Sequence, residues 1–257
     1  TLFQLIDLED SLEILARKDG AIVRPEGPRE VPEDDDLCVR AARRLQAEGP
    51  VRQGAEIRVA KRIPIQGGLG GGSSDAATTL VALNEIWGLR LPVERLAAIG
   101  RELGADVPLF VHGHSAWAEG VGEALTPVDL PERHFAIVWP GLGVPTAEVF
   151  HAPELTRNSA KTTIRGFLKA GGRNDCEAVV AARHPQVASA LAWLRQRGEA
   201  RLTGTGSCIF AAFADERSAR AALVGLPSGW TGFVARGLDR SPLQERLAAE
   251  RSSGGPR

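Results

Sequence analysis

A glycine- and serine-rich run between positions 64 and 78 has the composition of a phosphate-binding loop. Glycine occupies five of the six positions 67–72. Because each glycine loses much backbone freedom when it is ordered, such a run is expected where the backbone must approach another group closely. A loop of this kind that leads into a helix directs free N–H groups and the positive end of the helix dipole at one point, which suits a phosphate group. The alternative interpretation is a flexible surface loop.

The residues after the run predict the helix that this chemistry requires. Apolar residues recur at the spacing of one helical face, at Leu80, Leu83 and Trp87. The candidates for the N-cap are Ser73, Ser74 and Asp75, and Gly88 is expected to end the helix. Because a flexible linker is not usually followed at once by a capped amphipathic helix, the pattern favours the phosphate site.

Two familiar phosphate-binding motifs are excluded by the residues of the run. A Walker loop ends in Gly-Lys followed by Ser or Thr, and no lysine lies between Gly67 and Thr79. A dinucleotide-binding fingerprint that began at Gly68 and Gly70 would need a third glycine where this chain has Ser73. The run therefore belongs to another class of phosphate loop.

A strand over residues 56–62 is predicted to bring the chain into the run. Ile57 and Val59 lie on one side of this strand and Arg58 on the other, which is the alternation of a half-buried strand. Lys61 and Arg62 come at its end, directly before the loop. Either they are solvated strand-end charges, or they contact a bound nucleotide.

Asp106 is a second candidate for chemistry, because it is an acid among the small and apolar residues 104–110. An unpaired carboxylate in such surroundings is costly. A helix that starts near Pro92 is predicted to end at Gly104, so Asp106 comes just before the next apolar stretch. From the residues alone, an N-cap role is favoured over a catalytic one.

Composition indicates an ordinary soluble globular protein. The 257 residues are 43% hydrophobic and 25% charged, with a net charge of −1, which favours neither nucleic acid nor an anionic membrane as a partner. No apolar run approaches the ~18 residues of a membrane span. The three separated cysteines predict free thiols in a reducing compartment, and we expect a cytoplasmic protein.

The order of the predicted elements indicates two domains. The first contains short strands at 2–6, 11–16 and 21–23, a helix from Leu37 to Leu45 that Asp34 or Asp35 caps and Gly49 ends, and the elements described above. From residue 135 the order is strand, helix, strand, strand, helix, strand, which is ferredoxin-like with helices inserted after the first strand. The expected boundaries are 1–131, 132–245 and a polar tail at 246–257, disordered from Ser252.

The run at 64–78 resembles the second motif of the superfamily of galactokinase, homoserine kinase, mevalonate kinase and phosphomevalonate kinase, the GHMP kinases. The resemblance implies an α+β fold, with an N-terminal domain like ribosomal protein S5 and a C-terminal ferredoxin-like domain. It also implies an ATP-dependent small-molecule kinase with Mg²⁺, in which Asp106 is catalytic because residues 104–108 resemble the segment that carries the catalytic aspartate. The implied ATP-binding residues are Lys61, Pro64, Ile65, Gln66, Gly67, Gly68, Leu69, Gly70, Gly71, Gly72, Ser73 and Ser74.

Further stretches resemble one branch of the superfamily. Residues 202–208 resemble its third motif, a second glycine loop that packs against the first, although alone they would indicate a hairpin turn. Residues 145–150 and 174–177, with 157–158 and 241–243, resemble the branch that phosphorylates the 2-hydroxyl of 4-diphosphocytidyl-2-C-methyl-D-erythritol in the non-mevalonate isoprenoid pathway. This resemblance implies that Phe150 stacks on cytosine, where the alternative is core packing, and that Thr146 lines the same pocket.

The departure from the family pattern is at the beginning of the chain. The sequence contains no methionine and no tyrosine, so the family's Gly-Tyr-His segment is absent, as is its Pro-Ala-Lys motif. We expect both to precede Thr1 and the chain that begins at Thr1 to be inactive without them. The alternatives are a sibling kinase that acts on homoserine or mevalonate, and a non-catalytic nucleotide-binding module. Phe150 and residues 174–177 favour the cytidyl branch.

Overall fold

The computed structural model describes residues 1–120, 122 and 124–253. Its strands are β1 (Leu2–Phe3), β2 (Leu5–Ile6), β3 (Ser11–Arg17), β4 (Ile22–Glu26), β5 (Gly54–Ala60), β6 (Ala116–Glu119), β7 (Ala124–Pro127), β8 (His134–Trp139), β9 (Ala200–Leu202), β10 (Ile209–Phe213) and β11 (Thr231–Leu238). Its helices are α1 (Leu37–Gln46), α2 (Gly71–Ile86), α3 (Val93–Leu103), α4 (Val107–His112), α5 (Thr146–Phe150), α6 (Ile164–Ala170), α7 (Cys176–Arg183), α8 (Pro185–Arg195), α9 (Glu216–Ala222) and α10 (Pro242–Ser253).

The C-terminal part of the chain forms a five-stranded antiparallel sheet in the order β2-β11-β8-β10-β9. Leaving β2 aside, the sequence β8, α8, β9, β10, α9, β11 with this strand order is ferredoxin-like, as predicted. Helices α5, α6 and α7 are the predicted insertion after the first strand. Apolar side chains of the sheet and of α8 and α9 form the core of this part, including Val138, Leu194, Ile209 and Ala219.

The N-terminal part packs helices α1 to α4 against a three-stranded sheet in which β5 lies between β3 and β4. Strand β5 is antiparallel to β3 and parallel to β4. Its alternating residues Ile57 and Val59 are buried, as the period-2 pattern predicts. Leu80 and Leu83 of α2 are fully buried against the same core. This packing fixes α2 and the loop that precedes it.

Short strands connect the two parts. Leu5 and Ile6 of β2 pair with Leu238 and Gly237 of β11, so a segment near the beginning of the chain completes the C-terminal sheet. Strand β1 pairs instead with β6, in a small sheet with β7. The division into residues 1–131 and 132–245 stays a prediction. Strand β2 belongs to the first range by sequence but pairs with a strand of the second.

Two predicted details of α1 are wrong. The N-cap is Asp36, whose carboxylate accepts the N–H of Cys38, and not Asp34 or Asp35, which lie in the preceding 3-10 turn. The side chain of Asp36 is buried beside Arg24, with 3.3 Å between Nε and a carboxylate oxygen. A long-range ion pair of this kind cannot be read from the local sequence. The helix also ends at Gln46, before Gly49.

The C-terminal segment differs from the predicted tail. Helix α10 runs from Pro242 to Ser253, so residues 246–253 are helical and Ser252 does not begin a disordered segment. The rest of the predicted tail, 254–257, lies outside the described residues. No helix in the described part of the chain combines the length and the apolar character needed to cross a membrane.

Candidate active site

The glycine run forms a tight loop that ends in α2. Gly70 is the N-cap, with φ of +72°, and α2 begins at Gly71. The prediction that Ser73, Ser74 or Asp75 caps the helix is therefore wrong. Ser73 and Ser74 lie in the first turn. The N–H of Ser74 donates to the carbonyl of Gly70, whereas the N–H groups before it, from Gly71 to Ser73, are those that a helix start leaves without a partner within the helix. The positive end of α2 and these donors suit an anion.

A second glycine loop, residues 203–207, packs directly on the first. A Cβ atom on Gly68 would lie 2.3 Å from the carbonyl oxygen of Thr203 and 2.8 Å from the backbone nitrogen of Gly206. The hydroxyl of Thr203 donates to the carbonyl of Gly68 over 3.0 Å, and the N–H of Cys208 donates to the carbonyl of Gly67 over 2.9 Å. Glycine is thus required at position 68 because two backbones touch there, in agreement with the packing of the second loop on the first that the family resemblance implied.

Gln66 connects three segments. Its φ of +54° is unusual for a residue other than glycine. Its carbonyl accepts the N–H of Val144 over 3.1 Å and the N–H of Ser207 over 3.3 Å. The first loop, the second loop and the segment that leads to α5 therefore converge at this residue.

Lys61 lies beneath the loop in a buried cluster with two aspartates. Its ammonium group pairs with Asp10 and, over 2.7 Å, with Asp75. The other carboxylate oxygen of Asp10 accepts the N–H groups of Arg62 and Ile63, over 2.6 Å and 2.8 Å. Burial raises the pKa of Asp75 to about 6, and the charge of Asp10 adds to the rise, whereas Lys61 opposes it. The pKa of Lys61 is raised by its two carboxylate neighbours, although burial opposes the rise.

Asp106 lies at the N-cap position of α4 without capping it. In the described part of the chain its carboxylate has neither a cap hydrogen bond nor a charged partner. The residue is open to solvent, but the protein atoms around its carboxyl group partly desolvate it and raise its pKa. Asp106 therefore occupies the N-cap position, but the prediction that its side chain caps the helix is wrong.

Two close approaches place Asp106 beside the start of α2. A Cβ atom on Gly104 would lie 3.8 Å from the hydroxyl oxygen of Ser73, and a Cβ atom on Gly70 would lie 2.8 Å from the ring of Phe110 in α4. The N-termini of α2 and α4 thus lie close to each other. A phosphate at the start of α2 would lie near the carboxylate of Asp106.

Helix α5 carries the predicted substrate residues and begins beside the second loop. The hydroxyl oxygens of Thr146 and Thr205 are 3.1 Å apart. Phe150 is 56% exposed, so the alternative of core packing is wrong. The guanidinium group of Arg157 donates to the carbonyls of Phe150, Ala152 and Leu155 over 2.7 to 3.0 Å, which fixes the turn after α5.

The structure brings most of the predicted site residues together but adds others. Leu69 packs in an apolar cluster with Ile63 and Cys208, so its side chain is structural. The sequence did not predict the contacts of Asp10, Asp75 and Arg157. Arg157 lies in a stretch that carries the family resemblance, but its bonds to the turn after α5 follow no local pattern, and Asp10 and Asp75 reach Lys61 from distant positions. A cavity of about 690 Å³ lies between the end of α2, residues 90–96 and α10, and none of the predicted site residues lines it.

Two family models match the chain. The model described as GHMP kinases N terminal domain matches residues 36–114, and the model described as GHMP kinases C terminal matches residues 154–231. The first match contains the glycine loop and Asp106, and the second contains the second loop.

Curated relatives and a solved structure are similar over nearly the whole chain. The 4-diphosphocytidyl-2-C-methyl-D-erythritol kinase of Alkalilimnicola ehrlichii is 53% identical over 253 residues, which are 98% of this chain and 87% of the relative. The protein of the same name from Thiobacillus denitrificans is 51% identical over 245 residues, 95% of this chain and 88% of the relative. A crystal structure of 4-(cytidine 5'-diphospho)-2C-methyl-D-erythritol kinase superposes with a TM-score of 0.79 at 31% identity, and covers 92% of this chain and 89% of that chain.

Proposed function

The chain belongs to the 4-diphosphocytidyl-2-C-methyl-D-erythritol kinases of the GHMP kinase family, and we propose that it transfers the γ-phosphoryl group of ATP to the 2-hydroxyl of that substrate. The structural observation that carries this proposal is the close approach of the segment with Asp106 to the N-terminus of α2; in the described residues the carboxylate of Asp106 has no cap hydrogen bond and no charged partner. We assign residues 1–131 to ATP binding and residues 132–245 to the substrate side.

We assign the phosphates of ATP to the loop from Pro64 to Ser74. Backbone N–H groups at the start of α2 are the donors to the phosphates. Such donors hold the phosphates in place and neutralise their charge, and phosphoryl transfer is catalysed mainly in these two ways. The side chain of Leu69 packs inward, so its part in the site is its backbone. Lys61 as a direct ligand of ATP stays a prediction, since its ammonium group is paired with two carboxylates.

Asp106 is the group that we assign to the acceptor hydroxyl. Its carboxylate is free to accept the proton of the 2-hydroxyl or to orient that hydroxyl toward the γ-phosphorus. Burial raises the pKa of Asp106, which brings the base closer to neutral pH and makes it more effective at accepting a proton. The assignment is supported by the absence of any competing partner for this carboxylate in the described residues.

The start of α2 also fits the Mg²⁺ ion that would accompany ATP. Mg²⁺ prefers oxygen ligands and usually combines one or two protein oxygens with phosphates and water. The hydroxyls of Ser73 and Ser74 are oxygen donors in the first turn of this helix. Bound there with ATP, the ion would neutralise charge on the transferred phosphoryl group.

Recognition of the cytosine base is assigned to α5. The exposed ring of Phe150 offers an apolar face on which a base can stack. Thr146 connects this pocket to the second loop through Thr205. Substrate base and ATP phosphates would thus be held by segments that contact one another, which fixes the distance between the reacting groups.

The test is a comparison of acceptors with the full-length protein. ATP should be consumed with the cytidyl substrate, and phosphorus NMR should detect a new monophosphate on the methylerythritol unit. Homoserine and mevalonate serve as the competing acceptors. Equal or faster ATP consumption with either of them would overturn the assignment of the substrate, and ATP binding without turnover of any acceptor would favour the non-catalytic module.

A further inference from the structure

Leu202 is the last residue of β9, which is the edge strand of the five-stranded sheet. The backbone groups of an edge residue need partners other than a neighbouring strand. Here side chains provide them. The amide nitrogen of Asn174 donates to the carbonyl of Leu202 over 3.0 Å, and the carboxylate of Glu177 accepts the N–H of Leu202 over 3.0 Å.

The same asparagine also holds the second glycine loop. Its amide nitrogen donates to the carbonyl of Gly204 over 2.7 Å, and its amide oxygen accepts the N–H of Cys176 over 2.9 Å. Both N–H donors and the acceptor of Asn174 are therefore used. An aspartate at this position would place a carboxylate against two carbonyl oxygens, and no N–H would remain to donate.

Leu202 transmits this constraint to the loop. Its side chain is buried, and a Cβ atom on Gly206 would lie 2.9 Å from it. The loop in turn holds the first glycine loop through the bonds from Thr203 to Gly68 and from Cys208 to Gly67. A continuous series of contacts thus runs from the start of α7 to the loop that we assign to ATP.

We propose that Asn174 and Glu177 are positioning residues, which set the geometry of the ATP loops through Leu202 and the second loop. Neither residue lies on the segments that we assign to the reacting groups. The inference rests on the proposed function only in assigning the two loops to ATP. It gives Asn174 and Glu177 a role in a site whose proposed substrate contacts lie on other segments.

The first test replaces Asn174 in the full-length protein. Asn174→Asp and Asn174→Ala should raise the KM for ATP at least tenfold. Hydrogen exchange, followed by mass spectrometry without ligand, should become at least tenfold faster in peptides that cover 66–70 and 203–208, but not in the rest of the chain. The control is Asp175→Asn, the reverse exchange at the next residue, whose side chain accepts a hydrogen bond from Ser159 and pairs with Arg173, with no further polar partner among the described residues. Both readouts should stay within twofold of wild type in this control.

The second test uses Glu177, where a conservative variant separates positioning from stability. Glu177 also pairs with Arg195 over 2.6 Å. Glu177→Gln keeps an oxygen that accepts the N–H of Leu202 and loses the ion pair, whereas Glu177→Ala loses both. If the positioning role is correct, only Glu177→Ala should raise the KM for ATP, and this pair of variants decides the question if Asn174→Asp does not fold.

The results separate this inference from the proposed function. An unchanged KM for ATP and unchanged loop exchange in Asn174→Ala would overturn the positioning role, as would faster exchange spread evenly over the chain together with a lower Tm. A wild-type protein that fails to phosphorylate the cytidyl substrate would instead overturn the proposed function. Loop exchange is measured without ligand, so it still tests the contacts of Asn174 in that case.

Discussion

The ammonium nitrogen of Lys61 lies 2.7 Å from a carboxylate oxygen of Asp75, inside the first turns of the helix that begins the candidate phosphate site. Asp10, the other partner of Lys61, also accepts two backbone N–H groups. Lys61 is the charged donor to Asp75 among the described residues, and burial raises the pKa of Asp75 to about 6. Asp75 therefore takes up a proton as the pH falls through this value.

Replacement of Asp75 should change how stability depends on pH. Because the pKa of Asp75 is about 6 in the folded protein and 3.8 in the reference state, the folded state binds more protons between these values. The contribution of Asp75 is thus present below pH 4 and is lost as the pH rises to 6. Relative to Asp75→Asn, the unfolding free energy of wild type should fall by on the order of 2 kcal/mol between pH 4 and pH 7.

Urea unfolding of both proteins at pH 4, 5, 6 and 7 measures this difference. Asp129→Asn, which changes an exposed aspartate, is the control and should give a curve parallel to that of wild type. Parallel curves for wild type and Asp75→Asn would mean that Asp75 has the same pKa in the folded and unfolded states.

The two glycine positions 68 and 72 should respond in opposite ways to alanine. At Gly68, φ is +73° and a Cβ atom would meet the backbone of the second loop. Gly68→Ala should therefore lower the unfolding free energy by more than ~1 kcal/mol and weaken ATP binding at least tenfold. Gly72 is helical, and its Cβ atom would have only an ordinary contact with Leu37, at 3.5 Å. Gly72→Ala should therefore raise stability by roughly 0.5–1 kcal/mol.

Thermal melts and calorimetric titration of ATP on the two variants test this contrast. If Gly68→Ala bound ATP as tightly as wild type, the packing of the two loops would not matter for the phosphate site. A loss of stability in Gly72→Ala would contradict the ordinary contact expected for a Cβ atom at that position.

The sequence predicts the elements whose signals are local. The period-2 pattern of Ile57 and Val59 and the helical spacing of Leu80 and Leu83 each lead to the observed element, because burial on one face governs both. The ferredoxin-like order follows from the succession of such elements. The predicted caps failed at α1 and α2, because a tertiary ion pair and a positive φ at Gly70 decided where those helices start.

The sequence indicates which residues form the site, but it does not indicate how they are arranged in space. The composition of 64–74 indicates a phosphate loop, but nothing local indicates that Asp10 reaches Lys61 across 51 residues. The role of Asn174 depends on an edge strand 28 residues further along the chain. Contacts of this length arise only when the sheet and the loops are assembled, so the sequence pattern cannot contain them.

Removal of the Phe150 ring should affect the cytidyl substrate alone. The ring is 56% exposed, so Phe150→Ala leaves no cavity and should not change the Tm. Stacking of a base on an aromatic ring contributes ~1–3 kcal/mol, which corresponds to an increase in KM for the cytidyl substrate of between about fivefold and about a hundredfold. The KM for ATP should not change.

Steady-state kinetics with each substrate varied in turn measures both constants. Leu168→Ala, which also removes an exposed apolar side chain, is the control because Leu168 is 51% exposed. An equal increase in KM for the cytidyl substrate in both variants would remove the reason to place the cytosine on Phe150.

Replacement of Asp106 should affect catalysis without affecting the stability of the fold. Its carboxylate makes no cap hydrogen bond and has no charged partner in the described residues, so Asp106→Asn removes no stabilising contact. The Tm should therefore stay within a few degrees of wild type, or rise. The group that accepts or orients the proton of the acceptor hydroxyl is lost, however, and general-base catalysis contributes ~10²–10⁴-fold.

The turnover of full-length Asp106→Asn should consequently fall at least about a hundredfold, with substrate affinities nearly unchanged. Because burial raises the pKa of Asp106, the activity of wild type should decline on the acid side at a higher pH than an ordinary aspartate would give. This decline should be absent from the residual activity of the variant. Glu102→Gln, an exposed acid near the end of α3 that pairs with Arg44, is the control and should keep full activity. Near-normal turnover in Asp106→Asn would show that another group accepts the proton, and the assignment of the catalytic base would then be wrong.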